Sequence, residues 1–374
     1  MTDTKAVPAL LRALNERTVL DAVRASGPIS RAELARQTGI SRPTVSLVLR
    51  ALLEDGLVRE SEHDTEGPHY GARYYEADPE AAVVLEIAER VRAIAAPGAW
   101  IVDFTNPVGI VTRALLDGGH RAVGLCNVAI GFQRSFAGWL GVEPERVVVD
   151  QVGLNHLTWV RRVLLDEEDV LPRLLAEHGD ELAEELELPR RLLDELGAVP
   201  SYYLRYFYAH DAVLREQLDS EPRAAVVQDI ERNLLDLYRD PTVDERPDLL
   251  MQRGGAYYSE AALGLITSLT TGDGAVHEVD IRNDGTLAGL ADDDVIEVPA
   301  RVGRDGPEPL PQTPLAPELL GLVQHVAAYE RLTLRAALSR DPTDARKALL
   351  AHPLIGQVEL LDGLLDRLIA EAVH

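Results

Sequence analysis

The sequence predicts a multi-domain α/β protein: an N-terminal winged helix-turn-helix, then part of an open parallel sheet, then a mainly helical α+β remainder. Three observations lead there. First, residues 1–75 hold 10 Lys/Arg and 10 Asp/Glu, whereas the 374-residue chain carries a net charge of −25, so the acidic excess falls entirely after Tyr75. A shift of that size marks two modules. Second, three apolar runs, residues 100–103, 122–125 and 146–149, each lead into a short polar tip, as buried strands of a parallel sheet do. Third, helical periodicity fills most of the chain beyond residue 166, with two strand-like stretches between.

In the first module, residues 10–25 are amphipathic. Ser30-Arg-Ala-Glu33 is a capping box that opens a short helix to Thr38, because the serine hydroxyl can accept the amide three residues on. Gly39 ends that helix, Ser41 caps a third one with Pro43 in its first turn, and Gly56 closes it. Residues 57–60 and 73–76 are spaced to pair as a wing. In such a domain the third helix enters the major groove of DNA. Arg42 and Arg50 would face phosphates or guanine edges, and Thr44 and Ser46 the backbone or bases. The plainer reading of the same four residues is a solvated helix face. Residues 63–79, rich in Gly, Pro and acids, are the wing tip and a linker, and a helix follows over residues 80–95.

The chemistry lies in the three polar tips: Asn106 in Asp103-Phe-Thr-Asn-Pro-Val-Gly109, Cys126 and Asn127 in Gly124-Leu-Cys-Asn-Val-Ala-Ile130, and Asn155 and His156 in Gly153-Leu-Asn-His156. Ligands bind at the carboxyl edge of an open parallel sheet. Cys and His bind borderline transition metals, and Asn amides both donate to and accept from hydroxyls, so the set suits a sugar beside a metal. Taken singly, Cys126 reads as a small buried hydrophobe and His156 as a hydrogen-bonded structural histidine. Further on, residues 166–196 are charged and helical with Pro189 in a first turn, and residues 200–208 hold five aromatics, either a packed cluster or a sugar-stacking wall. A helix covers residues 223–238, strands 275–281 and 294–302, a Pro-rich loop 306–317, and helices the rest.

Composition excludes several classes. No segment approaches the ~20 apolar residues of a membrane span, and the first residues lack a signal-peptide layout, so a cytoplasmic protein is expected. The single cysteine rules out an intrachain disulfide and fits a reducing compartment. Strong acidity opposes loose binding to nucleic acid or anionic membranes.

These tips resemble glycoside hydrolase family four, the NAD- and manganese-dependent glycosidases. Ala198-Val-Pro-Ser-Tyr-Tyr-Leu-Arg-Tyr206, Arg253-Gly-Gly-Ala-Tyr-Tyr-Ser259, Ile281-Arg-Asn-Asp-Gly285 and Tyr329-Glu-Arg-Leu-Thr333 continue the likeness over roughly residues 80–374. Residues 8–76 resemble the DNA-binding domain of ROK-type transcriptional repressors. The domains expected are then 1–76, a winged helix-turn-helix; 77–150, the remnant of a Rossmann-like NAD-binding domain; and 151–374, the glycosidase C-terminal domain. The resemblance implies Cys126 and His156 as manganese ligands, Tyr258 as catalytic base, Asn106, Asn127, Asn155 and Arg282 as substrate contacts, and Arg282 as the grip on a sugar phosphate. Val128 is similar to the 6-phospho-β-glucosidase branch, while Ala129 departs from the usual proline. The implied reaction begins with hydride transfer from sugar carbon 3 to NAD, followed by tyrosinate removing the proton on carbon 2, and belongs to the class that needs no carboxylate pair. A phosphorylated β-glucoside and a homo-oligomer are the expected partners. One departure stands out: no G-x-G-x-x-G follows a strand, so the helix amides that receive a dinucleotide pyrophosphate are missing and the sheet should lose strands at one edge.

Overall fold

A computed structural model describes residues 15–16, 18–20, 22–23, 26, 29–54, 58–61, 74–77, 83–240, 242–243, 245–253, 257–339 and 341–372. Gly56, most of the expected linker, and residues 254–256 of the Arg253-Gly-Gly stretch lie outside the described residues. The chain divides into two compact units, Met1–Glu86 with Asp366–His374, and Ile87–Leu365.

In the first unit the described residues between 15 and 26 are helical (α1). They are followed by β1 (Ile29–Ser30), α2 (Arg31–Thr38), α3 (Arg42–Glu54), β2 (Val58–Ser61) and β3 (Tyr74–Ala77). The expected caps form. Ser30 Oγ accepts the Glu33 amide at 3.3 Å, Gly39 turns left-handed at φ 70°, and Ser41 Oγ accepts the Thr44 amide at 3.4 Å. β3 pairs antiparallel with both β1 and β2, which makes the wing. Val19, Val23, Leu34, Val45, Leu49 and Leu52 bury one face of each helix in a shared core; each such side chain contributes ~1.5–3 kcal/mol on burial.

Helix α4 (Val83–Ile94) carries the boundary between the units. Then come β4 (Ile101–Asp103), α5 (Val108–Asp117), β5 (Ala122–Gly124), α6 (Val128–Leu140), β6 (Val147–Leu154), β7 (Leu157–Leu165), β8 (Glu168–Asp169), α7 (Leu171–Leu186), α8 (Arg190–Leu196) and β9 (Val199–Pro200). The chain continues through α9 (Arg205–Tyr208), α10 (His210–Asp219), α11 (Arg223–Leu237), α12 (Leu249–Arg253) and α13 (Tyr258–Thr271) to β10 (Val276–Arg282), β11 (Val295–Gly303) and β12 (Gly306–Pro309). It closes with α14 (Pro317–Ser339), α15 (Pro342–Leu350) and α16 (Val358–Ala372). No helix of the described residues is long and apolar enough to cross a membrane.

Among the described residues the sheet runs β4-β5-β10-β11-β6-β7-β8, with β12 on β11 and β9 on β7. Only β4 and β5 are parallel; every other pairing is antiparallel. The sheet is therefore mixed, which corrects the expected parallel one. The third apolar run is β6, longer than expected, and it folds straight back on β7 around Asn155 and His156. Two residues can join antiparallel strands, whereas a parallel neighbour needs a crossover of about a dozen or more. The expected Pro-rich loop also begins as strand: β12 pairs with β11, its Pro307 and Pro309 tolerated because an edge strand can leave amide positions unused. The segments on either side of residue 150 share this one sheet.

One core joins Val279, Ile296 and Val298 of β10–β11 to Leu265 of α13 and Val323 of α14. A second joins Val149, Val160 and Val163 of β6–β7 to Phe136 of α6 and Leu182 of α7. Charge is buried too. Arg113 of α5, 2 % exposed, donates to Asp294 at 2.5 Å, and Arg331 of α14 donates to Asp293 at 2.7 and 2.9 Å and to Asp294 at 2.7 Å. Beside it Glu330 is buried, and burial pushes its carboxyl up to about 8, opposed by Arg113 and reinforced by Asp294.

A carboxyl whose folded pKa is raised stays protonated while its unfolded counterpart ionises, so its contribution is present below the unfolded value near 4.5 and is lost as pH climbs through about 8. Glu330→Gln removes that titration. In urea melts followed by tryptophan fluorescence, the loss of stability between pH 5 and pH 8 should shrink by roughly 1–4 kcal/mol in the variant, at ~1.4 kcal/mol per pKa unit. An unchanged pH slope would contradict this. All three tryptophans, Trp100, Trp139 and Trp159, lie in the second unit, so the signal reports on it.

Candidate functional site

The hairpin β10–β11 enters the sheet at a single level on each side: Asp280 faces Gly124 of β5, and Glu297 faces Gly153 of β6. Both glycines are required. A Cβ on Gly124 would lie 2.7 Å from Asp280 Cβ and from Val108 Cγ1, and Gly153, at φ 151°, would bring a Cβ to 3.0 Å from Thr158 Cα. Cys126 follows Gly124 by two residues and His156 follows Gly153 by three, so one joint delivers both segments to one place.

Cys126 is buried at the start of α6. Burial, then the Glu297 carboxylate, pushes its thiol above the ordinary range, while the neighbouring Asn155 side chain pulls it back. Asn155 and His156 form the two-residue turn between β6 and β7, with His156 left-handed at φ 65°. A non-glycine residue there is strained by about 1–3 kcal/mol, and such strain gathers at functional sites. Its ring stacks on Tyr203 with centroids 3.9 Å apart, and burial holds its pKa down to about 4, so the imidazole is neutral at pH 7 and free to ligate. Asn155 Nδ2 donates to Glu297 Oε2 at 3.0 Å, and Gln151 Nε2 donates to Glu297 Oε1 at 2.6 Å. Burial raises Glu297 to about 7, against those two bonds. Its neighbour Asp280 is fully buried with no hydrogen-bond partner on either oxygen, and burial and Glu297 hold it well above the carboxylate range.

Tyr258 opens α13. It follows Tyr257, itself left-handed at φ 67°, whose ring lies 4.4 Å from the Arg134 guanidinium. The Tyr258 ring stacks on Phe104 at 5.5 Å, and its hydroxyl, pushed up by burial, is pulled back by the neighbouring Asn106, whose bond to Pro107 is cis. Burial, then Cys126, raises both Tyr258 and Tyr203. Neither phenol ionises unaided; a cation between them and the thiol would reverse that. Asn127 stands at the start of α6 without capping it.

The structure thus brings Asn106, Cys126, Asn155, His156 and Tyr258 into one neighbourhood, with Asn127 beside Cys126. It does not bring Arg282. β10 runs antiparallel to β5, so Arg282 lies toward the opposite end of the sheet, where it pairs with Asp117 at 2.8 Å and with the Asp293 carbonyl at 3.2 Å. Tyr203 was passed over as one of five clustered aromatics; only its position in Pro-Ser-Tyr-Tyr, just after β9, could have singled it out. On α3, Arg42 and Arg50 are exposed, but the Ser46 hydroxyl donates to the Arg42 carbonyl at 3.0 Å and Thr44 bonds Ser41 at 2.8 Å.

A thiol and a neutral imidazole are the donors a borderline divalent metal takes, and no third His, Cys, Asp or Glu joins them among the described residues. Oxygens from a substrate or water would complete the shell, so the residues fit a metal with open positions. A dinucleotide fits less well. Among the described residues the turns after β4 and β5 carry Asn106–Pro107 and Cys126–Asn127, and neither is the glycine-rich turn that cradles a pyrophosphate.

The chain is similar to known proteins over most of its length. The family 4 glycosyl hydrolase C-terminal domain matches residues 151–355, family 4 glycosyl hydrolase matches residues 38–142, and a winged helix-turn-helix DNA-binding domain matches residues 13–59. The chain is 35% identical over 292 residues to a 6-phospho-beta-glucosidase of Thermotoga maritima, covering 77% of this chain and 69% of that one. It is 32% identical over 289 residues to the 6-phospho-beta-glucosidase of Escherichia coli, covering 73% and 64%. The structure of the Thermotoga maritima 6-phospho-beta glucosidase with manganese, NAD+ and glucose-6-phosphate superposes with a TM-score of 0.71 at 36% identity, over 78% of this chain and 69% of that one. With more than half its length matched by one domain of the family, the chain belongs to glycosyl hydrolase family 4.

Proposed function

We propose that the chain binds a 6-phospho-β-glucoside beside a divalent metal, manganese in kind, and acts as a glycosidase on it. The observation that carries this reading is the meeting of Cys126 and neutral His156 with Asn155 and two tyrosines, in a chain similar to an enzyme seen with manganese, NAD+ and glucose-6-phosphate. Cys126 and His156 hold the metal, which supplies positive charge at the sugar oxygens when bound. Asn106, Asn127 and Asn155 take sugar hydroxyls. Tyr258 serves as base toward the proton on sugar carbon 2; Tyr203, stacked on His156, is the second tyrosine in reach of that role. Arg282 has no part at this end of the sheet. Among the described residues no glycine-rich pyrophosphate turn follows a strand, which would make the redox step the weak point, because each charge-assisted hydrogen bond lost costs ~1.5–3 kcal/mol.

The winged helix supports a second reading, in which the unit of β4 to α15 senses a sugar phosphate for a DNA-binding domain of the ROK-repressor type.

About one divalent ion per chain should be retained in equilibrium dialysis, and Cys126→Ala and His156→Ala should each abolish it, since two protein ligands cannot spare one. Undiminished metal in either variant would remove that residue from the site. With NAD, manganese and reductant present, release of an aryl group from a 6-phospho-β-glucoside should be at least ~1,000-fold slower than for the Thermotoga maritima enzyme, at ~1.4 kcal/mol per factor of ten. The remaining turnover should vanish in Tyr258→Phe; survival there with loss in Tyr203→Phe would move the base to Tyr203, and an ordinary rate would show that NAD is held by another route. For DNA, Arg42→Ala and Arg50→Ala should each weaken binding by about 1–3 kcal/mol for a base contact, or lower the salt slope by about one for a phosphate contact. Absence of salt-dependent binding by the full chain would end the regulator reading.

A further inference from the structure

We propose that Glu297 is a positioning residue that aims the Asn155 carboxamide at Cys126 and thereby sets how tightly the Cys126–His156 pair takes a metal. This rests on the metal reading above and adds a residue to it. Residues 151, 153 and 155 follow the alternation of a strand, with side chains on one face. Glu297 stands opposite the middle one, Gly153, where there is no side chain, and so it fits between Gln151 and Asn155. It is 1 % exposed, and among the described residues no Lys or Arg pairs with it; its two oxygens are held by the carboxamides of Gln151 at 2.6 Å and Asn155 at 3.0 Å.

Chemistry then fixes the orientation of Asn155. Both Glu297 oxygens accept, one from Gln151 and one from Asn155, so the amide nitrogen of Asn155 faces Glu297. With one N–H committed, the plane of the carboxamide is set beside Cys126, whose thiol the Asn155 side chain lowers against the effect of burial. The contact reaches the metal pair from both sides, since Asn155 is also the chain neighbour of His156 in the strained turn. Partners of this kind behind a ligand change metal affinity by roughly 10–100-fold.

Glu297→Gln keeps the shape and breaks the logic. A glutamine offers one oxygen and one NH2, so it can accept from only one of the two carboxamides and sets donor against donor at the other. Cobalt(II) is the probe, read by the thiolate-to-cobalt absorption band and by titrated affinity on the full chain. Glu297→Gln should weaken cobalt binding by about tenfold or more and shift the band. Asn155→Ala should cause a similar loss, and the double variant little further loss, because both act through one contact. Gln151→Met, which takes away the other partner of Glu297, should lower the melting temperature yet keep cobalt affinity within about threefold and the band in place. Equal affinity and an unmoved band in Glu297→Gln would overturn the inference while leaving the metal site standing. So would additive losses in the double variant, or a loss in Gln151→Met that tracks its melting temperature, which would reduce Glu297 to a structural role. Absence of a thiolate band in the unaltered protein would overturn the metal reading and this inference together.

Discussion

The candidate site depends on one joint. The β10–β11 hairpin lies between two parts of the sheet, the parallel pair β4–β5 and the antiparallel group led by β6–β7, and it touches each through one facing residue pair. At both contacts a glycine meets a buried acid, Gly124 against Asp280 and Gly153 against Glu297. A side chain at either glycine would hold the strands apart, and the two segments that end in Cys126 and His156 would no longer converge. Arg113, Asp294 and Arg331 secure the same hairpin from the other end, by tying α5 and α14 to the connection between its strands. A buried pair of this kind is costly to break, since removal of one partner leaves an uncompensated charge.

The electrostatics of the joint are unusual for a core. Asp280, Glu297 and Glu330 are all buried, and all are held toward their protonated forms chiefly by that burial. The thiol of Cys126 and the phenols of Tyr203 and Tyr258 are pushed in the same direction. Asp280, the Cys126 thiol and both phenols therefore keep their protons unless positive charge arrives, whereas Glu297, raised only to about 7, is balanced between its two forms. A divalent cation at Cys126 and His156 would favour the ionised form of each, although no third His, Cys, Asp or Glu joins the two among the described residues.

Family membership rests on the second unit, and the winged-helix match on the first. Fold and family do not by themselves say which reaction survives; that is argued from the site. Here a thiol and a neutral imidazole are the donors proposed for a metal, and among the described residues the turns after β4 and β5 are not glycine-rich.

Much of this was legible in the chain. Local rules were enough for the capping box at Ser30, the left-handed Gly39, the Ser41 cap, the paired wing strands and most helices, because they act between residues three or four apart. The three polar tips were also legible, as apolar runs ending in Asn, Cys and His. Strand direction was not. The run at Arg146–Val149 reads equally well in a parallel or an antiparallel neighbour, and only the pairing of β6 with β7 across a two-residue turn decided it. Tyr203 and Glu297 were invisible for a related reason: one joins the site by stacking on His156 from 47 residues away in sequence, the other by facing a glycine 144 residues earlier. Arg282 could not be located from its motif, which gives no register; one antiparallel pairing sets it toward the far end of the strand, beside Asp117. The sequence by itself determined the local elements and the chemical types available; which of them meet was decided by tertiary structure, since pairing direction and register are set between distant segments and leave no local trace.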